Sequence, residues 1–331
     1  IKFYLIIENN LSAWKFKPNN TRPYLITCPF EFNGKYPKFV SLTKKPCDDA
    51  ENLLEVFNVQ PENGVKKKFG VCSKQIYYPD RTIGIRFIEW VHLLRILGAD
   101  KIFFSIKYLH QEVFEVVNYF EEQGIVETWP FLEPSGISDI DLNSRQTYIL
   151  EMTMLADCFF RIMNLYEYVA VLDIDEVIMP VNPQDMNWSD MMKRILEQNH
   201  KIIDGYRVLW AYYPDLGAKP NPNIPSYHYM LQHTQRSVEY AKLVKESSYV
   251  KSLFSTDRSL VIHNHSPLAC VNEGNRCENY DVPTDIAHTS HYRSSVPRDF
   301  LSTTFDSTAW KFKKKLIESV AETLFKTNHR P

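Results

Sequence analysis

Asp173-Ile174-Asp175 is where this sequence concentrates its chemistry. The two aspartates follow Tyr168-Val-Ala-Val-Leu172, the strongest buried-strand signal in the chain. Strand alternation would turn both carboxylates to one side, with Ile174 opposite. Two like charges repel where the backbone leaves a sheet, and a divalent cation relieves that repulsion. Hard oxygen ligands suit Mn²⁺ or Mg²⁺ rather than zinc. An ion held there would bridge to a diphosphate and neutralise charge as a nucleotide departs. A D-x-D is common on its own, and the plain alternative is a pair of acids opening a surface loop.

The elements around this motif alternate. Phe69–Cys72 reads as a strand, Arg86–Leu97 as a helix stopped by Gly98, Lys101–Ile106 as a strand, 110–123 as a helix and Ile125–Trp129 as a strand. A loop with Pro134, Gly136 and Asn143 leads to a helical segment over 145–164. After the aspartates come a helix over Trp188–Gln198, a strand over Ile203–Trp210 and a closing helix over 310–326, read as a packing element. This order predicts an α/β fold with a mainly parallel, Rossmann-like sheet covered on both faces. Ligands in such folds bind at the carboxyl ends of the strands. Residues 1–65, with short extended runs at Tyr24–Thr27 and Phe39–Leu42, form a small β-rich module in this reading. Residues 66–300 form the catalytic unit and 301–331 a helical segment.

At 331 residues the chain has room for one large core. A net charge of −2 gives no pull toward nucleic acid or an anionic membrane surface, and the Lys66–Lys68 and Lys313–Lys315 runs read as solvated faces. No apolar stretch reaches the ~18 residues of a membrane span. The chain starts at Ile1 rather than Met, so an upstream segment carrying a membrane anchor is expected. The six cysteines include no CxxC pair or zinc spacing. An even count, a short Cys270–Cys277 staple and sequons at Asn10, Asn19, Asn187 and Asn264 favour an oxidising, lumenal compartment.

Several blocks together resemble glycosyltransferase family 92. They are Asp157-Cys158-Phe-Phe-Arg161 with Tyr168 through Pro180, then Phe69-Gly-Val-Cys-Ser-Lys74, Phe87-Ile-Glu-Trp90 with Leu97-Gly-Ala99, Lys251-Ser252, His263 and His291-Tyr-Arg293. The resemblance spans about residues 24–296 and implies a GT-A-like fold. It also implies an inverting transferase that moves galactose from UDP-galactose in β-1,4 linkage to a fucose- or galactose-bearing glycan. The expected location is the Golgi lumen, as a type II membrane protein.

On this reading Asp173 and Asp175 hold the metal, with a downstream histidine completing the shell: His263, after Leu260-Val-Ile262, or its competitor His291. Lys74, Lys251 and Arg293 are candidates for the donor diphosphate, for which a guanidinium fork is well shaped, although a surface charge is the plain reading of each. Asp157 and Arg161, four residues apart, either position the donor or form a helix-surface ion pair. Trp210 would stack on the acceptor sugar or fill the core. Asp215 is the candidate base that takes the acceptor hydroxyl proton; Glu239 and Asp257 are rivals.

Two other classes compete. Asp173-Ile-Asp-Glu-Val177 also fits the D-x-D-x-[T/V] of haloacid-dehalogenase-type phosphohydrolases. That chemistry needs a later paired-acid motif, and no Asp-Asp or Glu-Asp pair follows Asp175. The other is a carbohydrate-binding protein without turnover, which has no need of a diphosphate metal.

Overall fold

Tyr168, Ala170 and Leu172 join one apolar core and Val169 and Val171 another, so both faces of this strand are covered. That double burial explains the unbroken apolar run in the sequence. The computed structural model describes residues 37–43, 45, 48–74, 76–80, 83–131, 146–215, 220–238, 249–272, 276–294 and 302–329, plus the short strands Tyr4–Leu5 and Ile26–Thr27; for residues 146–150 only the backbone is described. Pro134, Gly136, Asn143, Arg145, Glu239, Cys28, Cys47 and the sequons at Asn10 and Asn19 lie outside the described residues.

Two antiparallel pairs come first, β1 (Tyr4–Leu5) with β2 (Ile26–Thr27) and β3 (Phe39–Val40) with β4 (Leu54–Glu55). The alternation follows: β5 (Lys67–Cys72), β6 (Ile76–Tyr78), α1 (Ile83–Ile96), β7 (Lys101–Leu109), α2 (Gln111–Glu122), β8 (Val126–Pro130), α3 (Gln146–Ile162) and β9 (Tyr166–Val171). Next are β10 (Glu176–Pro180), α4 (Trp188–Asn199), β11 (Gly205–Pro214), α5 (Tyr229–Gln232), β12 (Gln235–Ser237), β13 (Val250–Ser255), β14 (Ser259–Ile262) and β15 (Pro267–Cys270). β16 (Asn279–Asp281), β17 (Ala287–Arg293), β18 (Thr303–Phe305) and α6 (Lys313–Lys326) complete the chain.

Ten strands form one sheet in the order β10-β17-β11-β13-β9-β5-β7-β6, with β16 beside β11 and β8 beside β7. β9, β5, β7, β6 and β8 run parallel, as do β11, β16 and β17. β13 is antiparallel to β9 and β11, and β10 to β17. The result is the mostly parallel α/β fold that the sequence predicts. Gly98, at φ +103°, ends α1 as expected. α6 buries Leu316, Val320 and Leu324 in the main core, the packing role read from its stripe.

Among the boundaries that move, one bears on the site. The strand over Ile203–Trp210 runs on to Pro214, because Trp210–Pro214 pairs with Thr289–Arg293 of β17. Trp210 is therefore mid-strand, and Asp215 follows the strand end. Such pairing joins segments some 80 residues apart, and local periodicity carries no trace of it.

The Cys270–Cys277 bridge is formed. A second, Cys72–Cys158, ties the end of β5 to α3 across 86 residues. On chain-entropy grounds, closing so long a loop constrains the unfolded chain by about 4–5 kcal/mol.

Candidate active site

The chain leaves β9 at Val171 and enters β10 at Glu176, so Asp173 and Asp175 occupy a tight turn rather than a continuing strand. The turn closes reciprocally: the Glu176 N–H donates to the Asp173 carbonyl at 2.9 Å, and the Asp173 N–H donates to Glu176 Oε2 at 3.0 Å. Ile174 packs inward on the main core, which leaves the acids together on the other side. Asp173, Asp175 and Glu176 each place a carboxylate oxygen within 4.8 Å of the others. α1 braces this segment from beneath, where the Trp90 indole donates to the Glu176 carbonyl at 2.9 Å.

Two lysines neutralise part of that charge. Lys251 begins β13, whose antiparallel register with β9 (Leu253 opposite Ala170) carries its side chain to the end of β9. It is fully buried, with Nζ 3.2 Å from Asp173 Oδ2 and 2.7 Å from Glu176 Oε2, and it also donates to Asn264 Oδ1. Lys74, just past β5, lies 3.2 Å from Asp173 Oδ2 and 3.1 Å from Glu151 Oε1 of α3. Burial alone would raise the Asp173 pKa, but Lys251 and Lys74 hold it well below the usual carboxylate range. Burial would lower Lys74 in turn, and Asp173, Glu151 and Glu176 hold it above the ordinary lysine value. Glu176 goes the other way: burial pushes its carboxyl up, with Asp173 adding to the effect against Lys251.

His291 reaches the acids from β17. Register places it opposite Glu176 on one side and Tyr212 of β11 on the other. Its Nε2 is 3.4 Å from Asp175 Oδ2 and its Nδ1 3.6 Å from Glu176 Oε1. Trp210 and Tyr212 hold the ring, with centroids 4.8 and 5.3 Å away. Glu176 Oε1 and His291 Nδ1 are buried without a hydrogen-bond partner among the described residues. Clustered carboxylate oxygens and an imidazole nitrogen beside them fit a hard divalent ion that tolerates nitrogen.

His263 lies near the two lysines of the site. It ends up beside His265, with ring centroids 5.6 Å apart, and burial, reinforced by His265, Lys74 and Lys251, pushes its imidazole down to about 3. Two ammonium groups act on it there, which disfavours a second cation. The histidine brought to the aspartates is His291.

A second cluster borders the first. The Tyr292 N–H donates to the Asp175 carbonyl at 2.8 Å, and the Tyr292 ring lies 6.3 Å from those of Tyr229 and His233. The Tyr229 hydroxyl donates to Asp215 Oδ1 at 2.9 Å, and His233 Nε2 meets the same oxygen. The Arg86 guanidinium, from the first turn of α1, stacks 3.3 Å over the Tyr229 ring centroid. Tyr78 of β6 completes this wall: burial, with Asp173 and Asp175 adding, pushes its hydroxyl well above the ordinary range, against the pull of Arg86.

The remaining candidates separate. Arg293 is exposed at the end of β17, two residues beyond His291. Lys251 is enclosed by oxygens of the protein itself and presents no surface to a diphosphate. Asp157 and Arg161 form an ion pair at 3.0 Å near the C-terminus of α3, with Arg161 over Trp129. Ten residues of helix put Arg161 about 15 Å along the axis from Glu151, the α3 residue that faces the site. The surface ion pair is the reading the geometry favours. Asp257 pairs with Lys66 at 2.6 Å on the surface. Glu151, Arg86, Tyr229 and His233 carry no motif in the sequence; Glu176 stands within Asp-Ile-Asp-Glu176 and was legible only as part of that block.

Among the described residues, no helix is long and apolar enough to cross a membrane. No curated protein matches the chain in sequence. Among solved structures, the chain resembles S. aureus TarS 1–349 in complex with UDP, at 12% identity over 78% of this chain and 72% of that one, with a TM-score of 0.38. It also resembles the mannosyltransferase PcManGT from Pyrobaculum calidifontis in complex with GDP-Man and Mn²⁺, at 10% identity over 84% and 79%, with a TM-score of 0.35. Both likenesses are loose. The family description is not: residues 67–330, from the first strand of the large sheet to just past α6, match as one span. This chain belongs to glycosyltransferase family 92.

Proposed function

We propose that the protein transfers a sugar from a nucleotide-diphosphate donor with inversion, by a single displacement that depends on a divalent ion. The observation that carries this reading is the approach of Asp175 Oδ2 to His291 Nε2, 3.4 Å apart, with a third carboxylate backing them. Asp175 and His291 would hold the ion, with Asp173 beside them, and the imidazole nitrogen favours Mn²⁺ over Mg²⁺. When bound, such an ion neutralises the diphosphate as it leaves. Lys74, whose side chain is 31% exposed beside Asp173, is the lysine that could reach the same phosphates.

Asp215 is the proposed base. Both of its described bonds fall on Oδ1, from Tyr229 and His233, and its side chain is 39% exposed. Oδ2 is then the oxygen that takes the acceptor hydroxyl proton as that hydroxyl attacks C1. Trp210, against His291, is the aromatic surface for a sugar ring.

For the donor we propose UDP-galactose, transferred in β-1,4 linkage to a fucose- or galactose-bearing glycan, on the strength of the family blocks in the sequence. The two disulfides support an oxidising compartment, and the Golgi lumen is the proposed location. Incubating purified protein with UDP-galactose, UDP-glucose or UDP-N-acetylglucosamine, Mn²⁺ and fucosylated or galactosylated acceptors tests the proposal. Transfer from UDP-galactose alone is expected. Exclusive use of another donor would refute the galactose assignment, and glycan binding with no turnover of any donor would favour a carbohydrate-binding protein instead.

A further inference from the structure

Glu176 is the acid of the cluster that no substrate can touch, since its side chain is 1% exposed. Its two oxygens are used unequally. Oε2 accepts from Lys251 Nζ at 2.7 Å and from the Asp173 N–H at 3.0 Å. Among the described residues, Oε1 is buried without a hydrogen-bond partner and faces His291 Nδ1, equally buried and unpartnered, at 3.6 Å. This meeting is fixed by the fold: Glu176 and His291 are direct partners in the β10–β17 register. The imidazole has little freedom to turn away, because Tyr212 stacks on it at 28° and Trp210 meets it edge-on.

An imidazole has two edges, and the neighbours of one decide the chemistry of the other. With Nδ1 toward Glu176, Nε2 emerges toward Asp175 Oδ2, 3.4 Å away. We propose that Glu176 is a positioning residue: by accepting the Nδ1–H of His291 it fixes the tautomer whose Nε2 lone pair points, beside Asp175, at a divalent cation. Lys251 has a matching part. It engages Glu176 through Oε2 alone and leaves Oε1 for the histidine. Carboxylates behind metal-binding histidines set ring orientation and raise ligand basicity, and losing one typically weakens metal binding 10–100-fold. The inference rests on the metal-dependent reading above.

The test is a titration of the whole chain with Mn²⁺ alone, following free Mn²⁺ by electron paramagnetic resonance. Glu176→Gln should raise the Mn²⁺ dissociation constant about 10–100-fold. His291→Ala should weaken binding as well. The double variant should bind no more weakly than His291→Ala, because Glu176 acts through the ring. Wild-type affinity in Glu176→Gln, or effects that multiply in the double variant, would overturn the proposal. Should Glu176→Gln fail to fold by circular dichroism, ¹⁵N–¹H correlation of the wild-type imidazoles decides. The His291 signals, identified by their loss in His291→Ala, are expected to show the Nδ1–H tautomer, and the Nε2–H tautomer would refute it. A wild type that binds no Mn²⁺ would instead bring down the metal reading itself, an outcome the first titration separates from the others.

Discussion

Asp175→Asn is expected to lower transfer at least about 100-fold, a loss of about 2.7 kcal/mol of transition-state stabilisation, while leaving the protein folded. The carboxylate sits in a turn, 30% exposed, and the described structure gives it no lysine partner of its own. It shares a small volume with Asp173 and Glu176, so removing its charge relieves repulsion in the folded state. Stability should therefore stay within about 0.5 kcal/mol of wild type, as for other substitutions that open no cavity and break no buried network. Initial rates at saturating Mn²⁺, set beside thermal midpoints, separate the two effects. A variant that kept more than about a tenth of wild-type activity, having lost under ~1.4 kcal/mol, would show that Asp175 does not hold the ion.

Lys251→Met should behave in the opposite way and cost mainly stability. The ammonium group is fully buried among Asp173, Glu176 and Asn264. Methionine fits the space but leaves Glu176 without its lysine and Asp173 with Lys74 alone. Breaking a buried pair by removing one partner typically costs 3–5 kcal/mol, against a total stability of about 5–15 kcal/mol for a domain. Urea unfolding should show that loss of stability as a lower midpoint at an unchanged slope. A stability within about 0.5 kcal/mol of wild type would mean that Lys251 is no structural counter-ion. Its role as a diphosphate ligand, expected from the sequence, would then be open again.

The contrast between these two residues shows which parts of the site a sequence can carry. Asp173 and Asp175 were legible because their signal is local: a buried run of five residues followed at once by two acids. Even there the mechanism differs, since a reciprocal hydrogen-bonded turn, rather than continued strand alternation, brings the carboxylates together. Lys251 was visible as a cation near the right strand, but its burial follows from the β13–β9 register, which no local pattern encodes. The histidines make the same point. His263 and His291 both belong to late strands or their ends, and only the pairing of β17 with β10 and β11 shows that His291 meets the aspartates.

Asp157 and Arg161 looked like site residues because they share a block with the motif. α3 runs back along the sheet, so its early residue Glu151 faces Lys74 while the Asp157–Arg161 pair sits further down the helix. Cys72 and Cys158 were counted as cysteines, yet their pairing needs the contact of β5 with α3. β5, β7, β8, β9 and β11 and the helices between them were readable, because periodicity and strong apolar runs are properties of adjacent residues, while β6, β10, β13, β16 and β17 of the same sheet were not legible. What escaped was every contact set by register between distant strands.

Anomalous scattering at the manganese edge, from crystals of the wild-type chain grown with Mn²⁺ and UDP, tests the central claim most directly. One peak is expected between Asp175 Oδ2 and His291 Nε2, in contact with the diphosphate. A peak beside His263 instead, or a diphosphate bound through Lys74 and Arg86 with no anomalous signal near Asp175, would contradict it.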